Sequence, residues 1–327
     1  MISPKEHTPS VLPEAHRGHV LAARAKALAY SPRVPFEVRS RLLYLSKRRS
    51  WPTGEPQTFG QKLVWKMTKD RRPLLTTFAD KVAMRDYVTR VVGGQYLTEL
   101  YTVVEDPDTL AQSSFPDTFV VKPSHASGML WLVDRPRLEE EGFTRLSTQI
   151  YRSTRGALDW DRLRATCRFW LSVHYADHEL EWAYRDVPPR IIVEELLDDP
   201  HRSIPVDYKL FVLNGRVRLL EIHGDRFGQS RCDLVLPDGT LVATNRPDDA
   251  DGAPVFPPQN LDRMIAIAEA LGAETDFVRV DLYDIAGRIV VGELTNYPGG
   301  PRGLHDPPLP PRYDAELGRY WVLPSRY

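Results

Sequence analysis

One arginine and two carboxylates in the C-terminal third have types and spacing that suit phosphate and metal chemistry. They lie in Val278-Arg279-Val280-Asp281-Leu282-Tyr283 and Val290-Val291-Gly292-Glu293. Side chains of a strand alternate faces, so Arg279 and Asp281 point the same way. Ala286-Gly287 turns the chain, and the return strand brings Glu293 back towards them. Two carboxylates facing one site repel each other unless a cation lies between them. Magnesium accepts a few protein oxygens and completes its shell with water and phosphate. A cation held there neutralises charge as a phosphoryl group moves, and Arg279 on the same face can clamp an acyl phosphate. Taken alone, the pattern equally fits an exposed hairpin with charged outer faces.

Three further groups carry compatible chemistry. Lys122 ends the apolar run Phe119-Val120-Val121 and is followed by Pro123-Ser124-His125-Ala126-Ser127-Gly128. Backbone N–H groups of such a small-residue loop can cradle phosphate oxygens while the lysine supplies charge. The glycine spacing is not that of a P-loop, and a plain hairpin turn is the competing reading. Glu194-Glu195-Leu196-Leu197 follows a β-branched run. A nucleotide base can dock on such an extended linker, or the acids simply end a strand in solvent. Asp207 and Lys209 share a strand face. They suit a ribose hydroxyl and a phosphate, or a surface ion pair. Arg226, after a strand near these groups, is a candidate contact for phosphate or a substrate carboxylate. His174 and His178 have no nucleophile partner placed by spacing, and Trp160, Trp170 and Trp182 read as packing residues.

The elements that must position these groups fall into three regions. Residues 1–114 read as mostly helical with proline punctuation, including a helix over Thr76–Val88 capped by Thr77 or Asp80 and a strand over Tyr96–Val104. Residues 115–199 hold the strand–loop–strand around Lys122, a polar helical stretch over 138–184 and the acidic linker. Residues 200–327 are strand-rich, with hairpins at Asn214-Gly215, Asp238-Gly239 and Ala286-Gly287. An amphipathic helix over Leu261–Leu271 stops at Gly272, and a proline-rich tail follows. The fold class expected is α+β: a helical N-terminal region and two α/β lobes.

Composition bounds the alternatives. The chain has 327 residues, 42% of them hydrophobic, and a formal net charge of −1. That is enough for a substantial core and gives no global field to draw the protein onto nucleic acid or membrane. Residues 33–72 are basic, with eleven Lys/Arg against three Asp/Glu, which reads as a solvated helical face. Cys167 and Cys232 lie far apart without Cys-x-x-Cys or Cys/His spacing, which argues against a zinc site or a disulfide framework. Two free thiols in a reducing compartment are expected. The first twenty residues lack the apolar core of a signal peptide, and no apolar stretch is long enough to span a membrane. A cytoplasmic protein is expected.

The order of the groups is more specific than any one of them. Phe59-Gly60-x-Lys62, Ala79-Asp80-Lys81-x-x-x-Arg85-x-Tyr87-Val88, Phe119-Val120-Val121-Lys122-Pro123, Glu194-Glu195-Leu196-Leu197, Asp207-Tyr208-Lys209 and Gly292-Glu293-Leu294-Thr295-Asn296-Tyr297-Pro298-Gly299-Gly300 follow one another. Over residues 58–305 this series resembles the ATP-grasp superfamily, in the branch named after the teichuronopeptide biosynthesis protein TupA. The resemblance implies two lobes gripping ATP with magnesium. It implies an ATP-dependent ligase that joins a carboxylate to an amine through an acyl phosphate, in surface-polymer or natural-product biosynthesis. Lys81 and Lys122 correspond to the two phosphate-binding lysines, and Ser124, His125, Ser127 and Gly128 to the loop over the phosphates. Glu194, Glu195, Leu196 and Leu197 correspond to the adenine linker, Asp207 to a ribose-binding acid, and Lys209 to a further phosphate contact. Asp281 and Glu293 correspond to the magnesium carboxylates, with Asn296 or Thr295 as a third ligand. Arg279 corresponds to the arginine that stabilises the acyl phosphate and tetrahedral intermediate. Lys122, Lys209 and Arg279 are the catalytic candidates; Arg226, Arg279, Gly299 and Gly300 are the substrate-contact candidates. Related ligases carry Asn two residues after the metal Glu, where this chain has Thr295. A phosphotransferase that stops at a phosphorylated product, and a nucleotide-binding or glycosyltransferase-like role in polysaccharide assembly, are the alternative functions.

Overall fold

A computed structural model describes residues 28, 31, 33–48, 54–111, 115–134, 143–146, 149–199, 205–224, 231–245, 258–299 and 307–324. Among the described residues four helices come before the first strand: α1 (Phe36–Arg48), α2 (Phe59–Lys69), α3 (Pro73–Ala79) and α4 (Ala83–Val91). Thr58 and Gln61 form a reciprocal capping box at the start of α2. The helix expected over Thr76–Val88 is two helices. Asp80 separates them: its main-chain N–H closes α3 on Thr76, and its carboxylate accepts from Val82 N at 2.9 Å.

The first sheet has the order β1–β6–β2–β3–β5–β4. Its strands are β1 (Leu100–Val104), β2 (Phe119–Pro123), β3 (Leu130–Asp134), β4 (Phe143–Arg145), β5 (Ile150–Thr154) and β6 (Ile191–Glu194). Neighbours are antiparallel except β3 and β5, which run parallel. β4 and β5 occupy a stretch expected to be helical, and α5 (Trp160–Leu171) begins only after them. A short α6 (Tyr175–Glu179) follows. Alternation divides the strands. Phe119, Val121, Trp131, Val133, Ile191 and Val193 pack with Leu163, Cys167 and Trp170 of α5. Val120, Lys122, Leu130, Leu132, Ile192 and Glu194 therefore face the other way, into a cleft.

The second sheet has the order β10–β9–β8–β7–β11–β12, all antiparallel. Its strands are β7 (Asp207–Leu213), β8 (Arg216–Gly224), β9 (Arg231–Val235), β10 (Leu241–Thr244), β11 (Phe277–Ile285) and β12 (Arg288–Thr295). Asn214-Gly215 turns β7 into β8 with positive φ at both residues, as a tight hairpin needs. One face buries Leu210, Val212, Leu220, Val278, Val280 and Leu282 against α4 and against α7 (Leu261–Leu271). The other buries Phe211, Leu219, Phe277 and Leu234 against Phe59, Leu63 and Met67 of α2, and against Leu317 of α8 (Pro311–Tyr320). Gly318 lets α8 meet α2, since a Cβ there would lie 2.1 Å from Gln57 O.

A buried ion network pins the start of β11. Lys66 Nζ lies 2.8 Å from Asp276 Oδ1 and 3.2 Å from Asp70 Oδ2. Arg72 bonds both acids, and Trp321 Nε1 donates to Asp276 at 2.7 Å.

Candidate active site

Charge is laid across the second sheet in a row. Asp281 pairs in register with Glu293 on β12 and with Lys209 on β7, and Lys209 pairs with Glu221 on β8. Directly opposed residues of antiparallel strands show the same face, so register alone gathers all four. Arg279, Asp207 and His223 lie two residues along the same strands and join them. This face is the one that carries Phe211 and Phe277; it is apolar at one end and charged at the other.

A bulge makes the row possible. From the Ala286-Gly287 turn the pairing runs Ile285–Arg288, Asp284–Ile289, Tyr283–Val290 and Leu282–Val291. Continued without interruption, it would set Gly292 against Asp281 and turn Glu293 to the face of Val280. Gly292 is instead an extra residue, and Asp281 meets Glu293. A Cβ at Gly292 would lie 2.7 Å from the Tyr283 ring, so the bulge and the ring require glycine there.

The row is held by charged hydrogen bonds. Arg279 donates to each Asp281 oxygen at 2.7 Å and to Thr295 Oγ1 at 3.2 Å. Lys209 Nζ donates to Asp281 Oδ2 at 2.8 Å and also to Asp207. Burial works against the Arg279 guanidinium, yet Asp281, Glu221 and Glu293 hold its pKa above the ordinary arginine value. Burial likewise opposes the Glu221 carboxylate, but its bond to His223 and the charges of Arg279 and Lys209 hold it at about 2.

The opposite wall of the cleft belongs to the first sheet. Lys122 pairs with Glu194, which also lies 3.2 Å from Arg85 Nη1 and accepts from Thr98 Oγ1 at 3.0 Å. Lys81 Nζ donates to Ala126 O at 2.6 Å. Burial depresses the Lys81 pKa, Glu293 and Glu194 oppose this, and Lys122 adds to it. Lysines of one lobe and a carboxylate of the other therefore share one electrostatic neighbourhood.

Lys81, Lys122, Glu194, Glu195, Leu196, Leu197 and Asp207 line a single cavity between the sheets. Met84, Val120, Leu132 and Ile192 give it apolar walls. Arg279, Lys209, Asp281, Glu293 and Asn296 lie outside that lining; Asp207 connects the two parts through Lys209. The Glu195 side chain is drawn outward onto Arg288, at 2.5 and 2.8 Å. In the loop, Ser124 Oγ donates to Pro188 O at 3.0 Å, and His125 Nε2 lies 3.2 Å from Trp170 O. Those two side chains serve the scaffold, while Ser127 is half-buried and Gly128 exposed. Asn296 lies just beyond β12, with Nδ2 donating to Leu75 O at 2.7 Å. Its Oδ1 is buried and makes no hydrogen bond among the described residues. Gly299 closes the segment at positive φ; Arg226 and Gly300 lie outside the described residues.

Several site residues escape sequence reasoning. Arg85, from α4, lines the cavity and bonds Glu194 and Thr98. Thr98, Tyr283 and the Asp134–Arg152 ion pair also line the cavity, and only the fold brings them there.

The donor set suits a hard divalent cation. Asp281 and Glu293 offer carboxylate oxygens, and the orphaned Asn296 Oδ1 lies three residues beyond Glu293.

Two sheet lobes closing on a cleft, lysines from one and carboxylates from the other, define the ATP-grasp class of fold. A family model described as TupA-like ATPgrasp matches residues 61–322, and the chain belongs to that family. No curated protein matches it. Solved structures similar to it include D-alanine–D-alanine ligase from Bacillus anthracis complexed with ATP, with 11% identity and a TM-score of 0.38 over 69% of this chain and 56% of that one. VanG D-Ala:D-Ser ligase from Enterococcus faecalis has 13% identity and a TM-score of 0.40, over 71% and 56%. The ADP complex of purK, an N5-carboxyaminoimidazole ribonucleotide synthetase, has 11% identity and a TM-score of 0.42, over 83% and 59%. The chain thus spans little more than half the length of these structures. Among the described residues no helix is long and apolar enough to cross a membrane.

Proposed function

We propose that this protein is an ATP- and magnesium-dependent carboxylate–amine ligase that works through an acyl phosphate and forms an amide bond in surface-polymer or natural-product biosynthesis. The observation that carries the reading is the in-register row Glu293–Asp281–Lys209, with Arg279 beside it, next to a cavity floored by Lys122. Family membership supports it.

Each residue has a part. Met84, Val120, Leu132 and Ile192 take the flat base, and the 195–197 linker its polar edge. Asp207 takes the ribose. Lys81 and Lys122 meet the phosphates under the Ser124–Gly128 loop. Asp281 and Glu293 would hold magnesium, with Asn296 or Thr295 as a third ligand. Bound ATP with magnesium supplies an activated γ-phosphoryl group to the carboxylate. Lys122 and Lys209 steady its charge, and Arg279 supports the oxyanion when the amine attacks. Catalysis by such groups is positioning and electrostatics, which suits side chains locked by ion pairs.

The test is ADP release by purified protein with magnesium, ATP and a panel of carboxylate and amine pairs, read with product mass. Loss of water between the two substrates supports the ligase. A product heavier by a phosphate makes it a phosphotransferase. Preference for a sugar nucleotide over ATP overturns the reading.

A further inference from the structure

Beside the charged row lies a cluster with different chemistry. β8 and β9 pair so that His223 faces Cys232, and strand alternation sets Glu221 on the same side as His223. Cys232 Sγ lies 3.7 Å from His223 Nε2 and 3.8 Å from Glu221 Oε1, and His223 Nε2 lies 2.9 Å from Glu221 Oε1. All three ligand atoms fall within 4.8 Å of one another. Cys232 is fully buried and Glu221 is 8% exposed. The second Glu221 oxygen, Oε2, is buried and makes no hydrogen bond among the described residues.

We infer that Cys232 Sγ, His223 Nε2 and a Glu221 oxygen form a zinc site with three protein ligands and a fourth position open to solvent or substrate. The spacing fits. Zinc bonds of about 2.3 Å to sulfur and about 2.0–2.2 Å to nitrogen and oxygen in tetrahedral geometry hold ligand atoms about 3.3–3.6 Å apart. The observed separations bracket that range, so small side-chain rotations complete the site. The ligand types select the metal. Thiolate and imidazole favour zinc over magnesium, which prefers an all-oxygen shell. Zinc takes the thiolate form of cysteine, so binding displaces the Cys232 thiol proton to solvent and leaves a thiolate–carboxylate pair that neutralises the ion. The site is separate from Asp281 and Glu293, so it stands or falls independently of the ligase reading.

The test is metal binding, without any activity assay. Full-length protein purified in excess magnesium is analysed for metal content, then stripped and titrated with cobalt(II). The expected result is one zinc per chain and, on cobalt addition, a thiolate-to-cobalt charge-transfer band with the visible bands of tetrahedral cobalt. Cys232→Ser removes the charge-transfer band, His223→Ala weakens cobalt binding at least about tenfold, and Cys167→Ser leaves the spectrum intact. Absence of the band from the wild-type protein overturns the site, whatever the variants do. So does its survival in Cys232→Ser, its loss in Cys167→Ser, or displacement of cobalt by equimolar magnesium.

Discussion

Lys209 is shared by two carboxylates. Its Nζ lies 2.8 Å from Asp281 Oδ2 across the β7–β11 register and also bonds Asp207 on its own strand. The lysine thus joins the acid that lines the cavity to the acid that faces Glu293. Glu293→Gln keeps the shape of this face and removes one of its charges. We expect Mg-dependent ADP release to fall by about 10²–10³-fold with an unchanged melting temperature, checked by a coupled ADP assay and thermal unfolding.

Lys122 is expected to separate catalysis from folding. Glu194 retains Arg85 and Thr98 when Lys122 is removed, so Lys122→Ala leaves no buried acid unpaired. ATP turnover falls by about 10²-fold or more, while far-ultraviolet circular dichroism matches the parent. Arg85→Ala removes the other cation from the same acid and is expected to impair both turnover and nucleotide affinity, measured by calorimetry.

The Gly292 bulge gives a coupled prediction. Gly292→Ala forces a methyl to within 2.7 Å of the Tyr283 ring and disturbs the residue that sets Glu293 against Asp281. Magnesium-dependent nucleotide binding weakens. Removing the ring in Gly292→Ala/Tyr283→Ala restores part of it, so the two changes are non-additive. Additive losses in a double-mutant cycle would show that the ring and the bulge act separately.

Asp276 predicts a stability effect with a definite pH direction. It bonds Lys66, Arg72 and Trp321 while buried. Asp276→Ala leaves cations short of a partner in the core and is expected to cost about 3–5 kcal/mol. Burial raises the pKa of both Asp276 and Asp70, but Lys66 and Arg72 outweigh it, so both lie below the ordinary carboxylate value. A carboxylate with a depressed folded pKa stabilises above its unfolded pKa of about 3.9 and loses that contribution as pH falls through the folded value. Denaturant titrations from pH 7 to pH 2 are expected to lose less stability in Asp276→Ala than in the parent.

Much of this arrangement is legible from local pattern. The Asn214-Gly215 and Ala286-Gly287 turns, the apolar runs of β2 and β6 and the helix ending at Gly272 are all short-range signals, and they recur in the structure. Non-local pairing is the part that does not show. β5 carries the polar run Arg152-Ser153-Thr154 and pairs with β3 in parallel, so its sequence does not separate it from a polar helix. Counting residues back from the Ala286-Gly287 turn would place Glu293 on the wrong face; only the bulge corrects the parity. Cys232 and His223 are nine residues apart and fit no ligand spacing, yet the β8–β9 register sets them opposite each other.

Glu195 has a second allegiance. It directly follows the first lobe's last strand, exchanges main-chain and side-chain bonds with Glu99, and takes both arms of Arg288 from the start of β12. Glu195, a residue of the proposed adenine linker, is thus also a rivet between the two halves of the molecule. Arg288 is half-exposed, so dissolved ions compete for that rivet. Ionic strength then becomes a dial on how firmly the jaws are hinged, acting through a pair that never touches a phosphate.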